Sequence, residues 1–309
     1  MTRQKVLVTG ASGFLGRALC PALMESFVVV GADLAGRPPV AGAEWLSLDS
    51  PQDLARAVDI PDISCIVHLA FINRKPAGQT DGQYLEHLLS VDAPFFEAAA
   101  RRGRLRVVVA SSSAVYGKAG GSAPLSEDGE LRPVGIYGLA KVLQERLASY
   151  HAGTSDLRRV TVRMFNLVGP GQPQGMLVPD WARKARAVLR GEFPRVMVKH
   201  MRTTRDFLDV RDAASAITAV VKDFADGEIF NLASGVGTSL TSIAQEIQSL
   251  CRGPIPFVEM QDRPDSEDVP VQVGDAGKFR RRFHWAPRYP LAQSLSDFWK
   301  EGEGSHDVP

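Results

Sequence analysis

A chain of 309 residues is long enough for two layers of structure around a substantial core, or for two modest domains. Its 36 basic and 35 acidic residues leave a net charge of +1, too small to recruit nucleic acid or an anionic membrane, and 44% hydrophobic content is ordinary for a soluble enzyme. Cys20, Cys65 and Cys251 stand far apart in no CxxC pattern and no run of about 18 apolar residues occurs, so the expectation is a cytoplasmic protein with no disulfide framework, no metal and no membrane span.

The first half alternates short apolar runs with amphipathic stretches, the rhythm of βαβ units. Val6-Leu7-Val8 reads as a buried strand, and residues 14–23 as a helix with Leu15, Leu19 and Leu23 at four-residue spacing. Further strands are predicted at 27–30, ending in Gly31-Ala32-Asp33, and at 66–69 and 107–110; such unbroken runs suit parallel strands covered on both faces. A helix over 84–102 is expected to kink at Pro94. The next, over 135–151, carries Leu139, Leu143 and Leu147 as its apolar stripe, and a strand follows at 160–165. Beyond Gly169-Pro-Gly-Gln-Pro173 the pattern loosens into helices, among them 211–224 and 239–250, with a few isolated short strands and a frayed polar C-terminus. The expected fold class is α/β: a Rossmann-type doubly wound parallel sheet over 1–166, with 205–232 returning to it, and a smaller mixed α/β C-terminal substrate part over 167–309.

Gly10-Ala-Ser12-Gly13-Phe14-Leu15-Gly16 lies between the first strand and the first helix. Glycines there permit a tight turn and let backbone amides approach a pyrophosphate, while the helix N-terminus offers unpaired N–H groups to an anion. Asp33 closes the second strand 23 residues after Gly10, placed to accept hydrogen bonds from ribose hydroxyls. A carboxylate there repels a 2′-phosphate and favours NAD; Arg37 nearby keeps NADP open. Asp49 is either an adenine contact or a turn residue before Pro51.

Tyr137 and Lys141 are four apart, hence on one helix face. An ammonium beside the phenol is expected to favour the phenolate and bring a group of pKa near 10 into a working range. Ser111, Ser112 and Ser113 end the 107–110 strand, where ligands collect in parallel sheets. A hydroxyl there can hold a substrate oxygen; Ser111 and Ser113 read more simply as loop caps.

These segments together resemble an extended short-chain dehydrogenase/reductase of the epimerase/dehydratase type. The resemblance rests on the glycine loop, on His68-Leu69-Ala70, on Ser112-Ser113-Ala114-Val115-Tyr116-Gly117 and on the Tyr137/Lys141 pair. It implies an enzyme acting on a nucleotide sugar with catalytic Ser112, Tyr137 and Lys141, Leu69 and Ala70 beside the dinucleotide, and a homodimer built on the two long helices. Arg163-Met-Phe-Asn166-Leu-Val-Gly169 and Arg205-Asp206-Phe207-Leu-Asp209 are similar to stretches of GDP-4-keto-6-deoxymannose reductases. That likeness implies reduction of a 4-keto-6-deoxyhexose nucleotide, with Asn166, Arg205, Arg263 and Ser113 toward the substrate. A 4-epimerase is the alternative, and a non-catalytic dinucleotide sensor a second one. A 4,6-dehydratase wants a carboxylate pair where Ser113 and Ala114 stand. Two departures from the pattern are Phe71, where a small residue is usual, and Ser90-Val91-Asp92-Ala93-Pro94 on the central helix.

Overall fold

The computed structural model describes residues 3–34, 40–118, 124–260 and 269–304. In chain order, β1 (Lys5–Thr9) leads to α1 (Phe14–Met24), β2 (Val28–Leu34), β3 (Glu44–Leu48), α2 (Leu54–Ala57) and β4 (Ile63–His68). Then come α3 (Asp81–Arg102), β5 (Arg106–Ser112), α4 (Gly135–Thr154), β6 (Arg158–Met164) and β7 (Asn166–Val168). The remainder is α5 (Leu177–Leu189), β8 (Val196–Val198), β9 (Thr204–Asp209), α6 (Val210–Lys222), β10 (Ile229–Leu232) and β11 (Gly237–Ser239). It ends with α7 (Leu240–Leu250), β12 (Phe257–Glu259), β13 (Val271–Gln272), α8 (Gly277–Phe283) and α9 (Leu291–Gly304).

Seven strands form one parallel sheet in the order β3-β2-β1-β4-β5-β6-β10. Alternation along β1 explains why both faces must be covered. Val6 and Val8 point into a core shared with Leu15 and Leu19 of α1 and Ile217 and Val220 of α6. Leu7 points the other way, into a core shared with Phe95, Phe96 and Ala99 of α3 and Ala148 of α4. The architecture is therefore the doubly wound α/β fold that the sequence predicts. The chain re-enters this layer at α6 and β10, while β9 (Thr204–Asp209) belongs to a separate four-stranded mixed sheet with β7, β11 and β13. The C-terminal strands, expected as isolated pieces, are thus organised into that sheet and the β8–β12 ladder over a third core containing Trp181, Phe207, Ile243 and Trp299.

Two helices differ from their sequence reading. α3 starts at Asp81, with Thr80 and Gln83 forming a reciprocal cap, and runs through Pro94 to Arg102 as one helix. Pro94 is exposed, so its ring meets solvent rather than packing. In α4 the leucine stripe only partly faces the core: Leu139 is 39% exposed and Leu147 packs at the core's edge, while the fully buried face is Gly138, Ala140, Lys141, Gln144, Glu145 and Ala148. Hydrophobic periodicity located the helix but missed much of its buried face, because this helix buries polar groups.

Glu145 justifies that burial. Its carboxylate meets the Arg163 guanidinium of β6 in a two-pronged contact at 3.0 and 2.8 Å, with both side chains buried. Ser111 donates to the same carboxylate, and Arg163 also donates to the Tyr116 hydroxyl at 3.1 Å and to the Glu127 carbonyl at 3.0 Å. Every acceptor is matched, which is what makes a buried ion pair tolerable. Arg163→Met should destabilise the fold by about 3–5 kcal/mol by stranding the carboxylate, and the double variant with Glu145→Leu should lose much less. Urea unfolding of the two variants checks this.

Candidate active site

The carboxyl ends of β1, β2, β4 and β5 open into a cleft of about 1020 Å³, lined by the glycine loop, Asp33, Ala70, Ser112, Tyr137 and Lys141 among others. That is the upper end of the ~300–1,000 Å³ range of single-ligand pockets.

Each loop glycine has its own reason. Gly10 sits at φ +68°, and a Cβ there would stand 2.9 Å from the Ala70 nitrogen. A Cβ on Gly16 would fall 2.5 Å from the carbonyl oxygens of Gly10 and Ala11, so the helix packs on the loop only without one. Gly13 begins α1 with no side-chain cap, and the first turn holds no acidic residue. Gly13, Phe14, Leu15 and Gly16 line the cleft, so the N-terminus of α1 borders it, which fits a pyrophosphate. Asp33 accepts from the Ser12 amide at 3.1 Å and from its hydroxyl, tying the loop to the end of β2. The residues present fit a dinucleotide.

Ser112, the last residue of β5, and Tyr137, on the first turn of α4, both line the cleft, and the Ser112 side chain acts on the Tyr137 phenol. Burial pushes the Tyr137 phenol above its ordinary value, and the Ser112 bond only partly opposes that. Lys141 is buried and donates to the Ala110 carbonyl at 2.7 Å and to Gln144 Oε1 at 3.0 Å. The Phe71 ring lies over its ammonium, 3.5 Å from centroid to Nζ, and meets the Tyr137 ring edge-on. Tyr84 donates to the Ile72 carbonyl and so anchors the segment that carries Phe71. Desolvation drives Lys141 down to about 7, against the pull of Asp92 and Glu145. The expectation that the ammonium lowers the phenol is therefore corrected: burial governs both groups, raising one and lowering the other.

The remaining sequence candidates fall in different places. Ser12, Phe14, Leu15 and Leu69 line the cleft with the glycines, and Asn166 also lines it while donating to the Asp206 carbonyl. Ser113 also borders it but is buried against Gln272, which donates to its carbonyl at 2.9 Å. Asp49 is exposed beyond β3 and is not among the lining residues, although Leu48 and Pro51 are. Arg205 does not line the cleft; its guanidinium donates to the carbonyls of Thr204 and Val269. Arg37 and Arg263 lie outside the described residues. Sequence reasoning missed Asp92 and Gln144. The available signal was Asp92 itself, a charge in the apolar face of α3 between Leu88 and Phe95.

Among the described residues, no helix is long and apolar enough to cross a membrane. The profile of the NAD dependent epimerase/dehydratase family matches residues 6–233. The chain belongs to this family, whose members include NAD-dependent enzymes of nucleotide sugars. It is 28% identical to UDP-glucose 4-epimerase 4 of Oryza sativa subsp. japonica, over 96% of this chain and 90% of the relative. It is 26% identical to GDP-6-deoxy-D-mannose reductase of Pseudomonas aeruginosa, over 94% and 95% of the two chains. Among solved structures, MoeE5 in complex with UDP-glucuronic acid and NAD superposes with a TM-score of 0.82 at 29% identity, covering 97% of this chain and 99% of that one.

Burying Lys141 leaves a signature in stability. Between its unfolded value of 10.5 and about 7 the unfolded chain holds a proton that the native protein does not. Stability therefore rises with pH across that window and falls on acidification, with a slope approaching about 1.4 kcal/mol per pH unit. The buried thiols Cys20 and Cys65, both pushed up to about 12 from 9.0, add an opposite slope only above pH 9. Urea unfolding between pH 7.5 and 9 should show this slope in the protein and lack it in Lys141→Met.

Proposed function

We propose that the protein is a nucleotide-sugar oxidoreductase that reduces a 4-keto group on a nucleotide-linked 6-deoxyhexose. The observation that carries the reading is the convergence of Ser112, Tyr137 and Lys141 with the glycine loop in one cleft, where burial keeps the phenol above its ordinary pKa and so protonated, as a proton donor must be. NAD, with NADP as the lesser option, supplies the hydride when bound. Tyr137 gives its proton to the carbonyl oxygen as negative charge develops there, and Ser112 holds that oxygen in place. Lys141 presents positive charge from the cleft wall, steadying the ribose side of the site and the phenolate left behind. Phe71, packed against both Tyr137 and Lys141, narrows the sugar chamber and supports delivery to a single face.

In this reading residues 1–166, with the returning strand and helix, hold the dinucleotide, and most of 167–309 holds the nucleotide sugar. Asn166 and Ser113 face the substrate, whereas Arg205, engaged with backbone carbonyls, supports the wall behind it. A second reading, sugar 4-epimerase, draws on the similarity to the rice UDP-glucose 4-epimerase. That chemistry would use the same tyrosine in both directions.

Absorbance at 340 nm, followed with NADH or NADPH and a panel of keto-sugar nucleotides, tests the proposal. Stoichiometric consumption of reduced cofactor supports it. Interconversion of C4 epimers on NAD that copurifies, with no net consumption, replaces it by the epimerase reading. Tyr137→Phe should lower turnover at least ~100-fold, the scale of one general acid, while leaving dinucleotide binding nearly intact.

We also propose that α3 and α4 pair with the same helices of a second copy. Leu89, Leu139 and Tyr150 stand exposed on these two helices, and a paired copy would cover them. Leu139→Asp should halve the mass measured by analytical ultracentrifugation; a monomeric unmodified protein would end this proposal.

A further inference from the structure

A chain of buried side chains runs behind the cleft wall, and counting its donors fixes its direction. Thr9 Oγ1 accepts from the amides of Leu69 and Ala70, each at 3.1 Å. With its lone pairs so engaged, its own proton goes to His68 Nδ1, 2.9 Å away. His68 is therefore the neutral tautomer that carries hydrogen on Nε2, and it donates to Asp92 Oδ1 at 3.1 Å. The ring is stacked on Phe95 at 4.2 Å and meets Phe96 edge-on, a setting that leaves it no freedom to turn. Gln144 Nε2 donates to the second oxygen of Asp92 at 3.0 Å, which aims Gln144 Oε1 at the Lys141 ammonium, 3.0 Å away. Each link has one polarity, and Asp92 accepts at both oxygens as a carboxylate does.

The charges around Lys141 single out Asp92. On its own helix Lys141 meets Glu145, already matched by the Arg163 fork from β6, and Tyr137, bonded to Ser112. The end of β5 contributes the Ala110 carbonyl, the segment after β4 the Phe71 ring, and α3 contributes Asp92 and, beside Tyr137, the Tyr84 phenol. Behind Asp92, β4 contributes only the neutral His68. Among the described groups, Asp92 is the carboxylate next to Lys141 that no cation already matches.

We propose that His68, Asp92 and Gln144 are positioning residues that fix the direction and the charge of the Lys141 ammonium, and that link it through Thr9 to the Leu69–Ala70 edge of the cofactor cleft. This inference rests on the reading of Lys141 as a cofactor-side cation. Two of the three ammonium hydrogens are assigned, to Ala110 and Gln144, so the third has a defined direction toward the Phe71 side of the cleft. Losing the Asp92 charge frees Gln144 to turn and removes the pull that keeps Lys141 protonated near neutral pH.

The test uses the full chain and reads the lysine and the histidine directly. Carbon-13 NMR of labelled lysine, with Lys141 assigned from the Lys141→Met spectrum, gives its titration midpoint; nitrogen-15 NMR gives the His68 tautomer. Asp92→Asn and Gln144→Leu should both move the Lys141 midpoint down, by about one unit for the former, and NAD(H) affinity should then fall more steeply between pH 6 and pH 8 in the variants than in the unsubstituted protein. In the unsubstituted protein His68 should show the Nε2–H tautomer, with Nδ1 accepting from Thr9. A protonated or Nδ1–H His68, or an unmoved midpoint in the variant that folds, overturns the proposal even if Lys141→Met abolishes turnover. If Lys141→Met leaves both cofactor binding and turnover intact, it is the reading of Lys141 itself that fails.

Discussion

Taking the Lys141 ammonium out of water is the constraint around which the centre of this molecule is arranged. A cation in that position needs compensation from the elements that enclose it: β5 supplies an acceptor through Ala110, α4 one through Gln144, and α3 negative charge through Asp92. The inner face of α4 is polar for this reason. Its other buried charge, Glu145, is satisfied independently by β6, so the helix is fixed to the sheet by one ion pair and leaves a second charge facing the cleft. Packing and chemistry are therefore set by the same few side chains.

This arrangement also explains the behaviour of the phenol. Tyr137 and Lys141 share a helix face, but the lysine is turned toward the sheet and α3, and the tyrosine toward Ser112. Each group is poised by its own environment and not mainly by the other. Burial keeps the phenol protonated and brings the lysine down to about 7.

What the sequence revealed depended on whether a signal was local. The alternation of apolar runs, the glycine loop, the motif around Ser112 and the Tyr137/Lys141 pair are each carried by a few neighbouring residues, and the fold brings Ser112, Tyr137 and Lys141 to one cleft. The leucine stripe of α4 was legible as a helix and illegible as a direction, since periodicity records apolar surface without saying what covers it. The pKa reversal was out of reach, because the groups that desolvate Lys141 come from β5, α3 and the Phe71 segment, all remote in sequence. Asp49, open in the sequence between an adenine contact and a turn residue, stands exposed just beyond β3, and Arg205 on β9 donates to backbone carbonyls.

Asp33 holds the Ser12 amide and hydroxyl with the same carboxylate that faces the cleft at the end of β2. Any attempt to re-engineer the coenzyme choice by exchanging that aspartate for a smaller or basic residue would also release the turn between β1 and α1. Retargeting would require a compensating acceptor for Ser12, so adaptation at this locus has to proceed by coupled replacements and not by a single exchange.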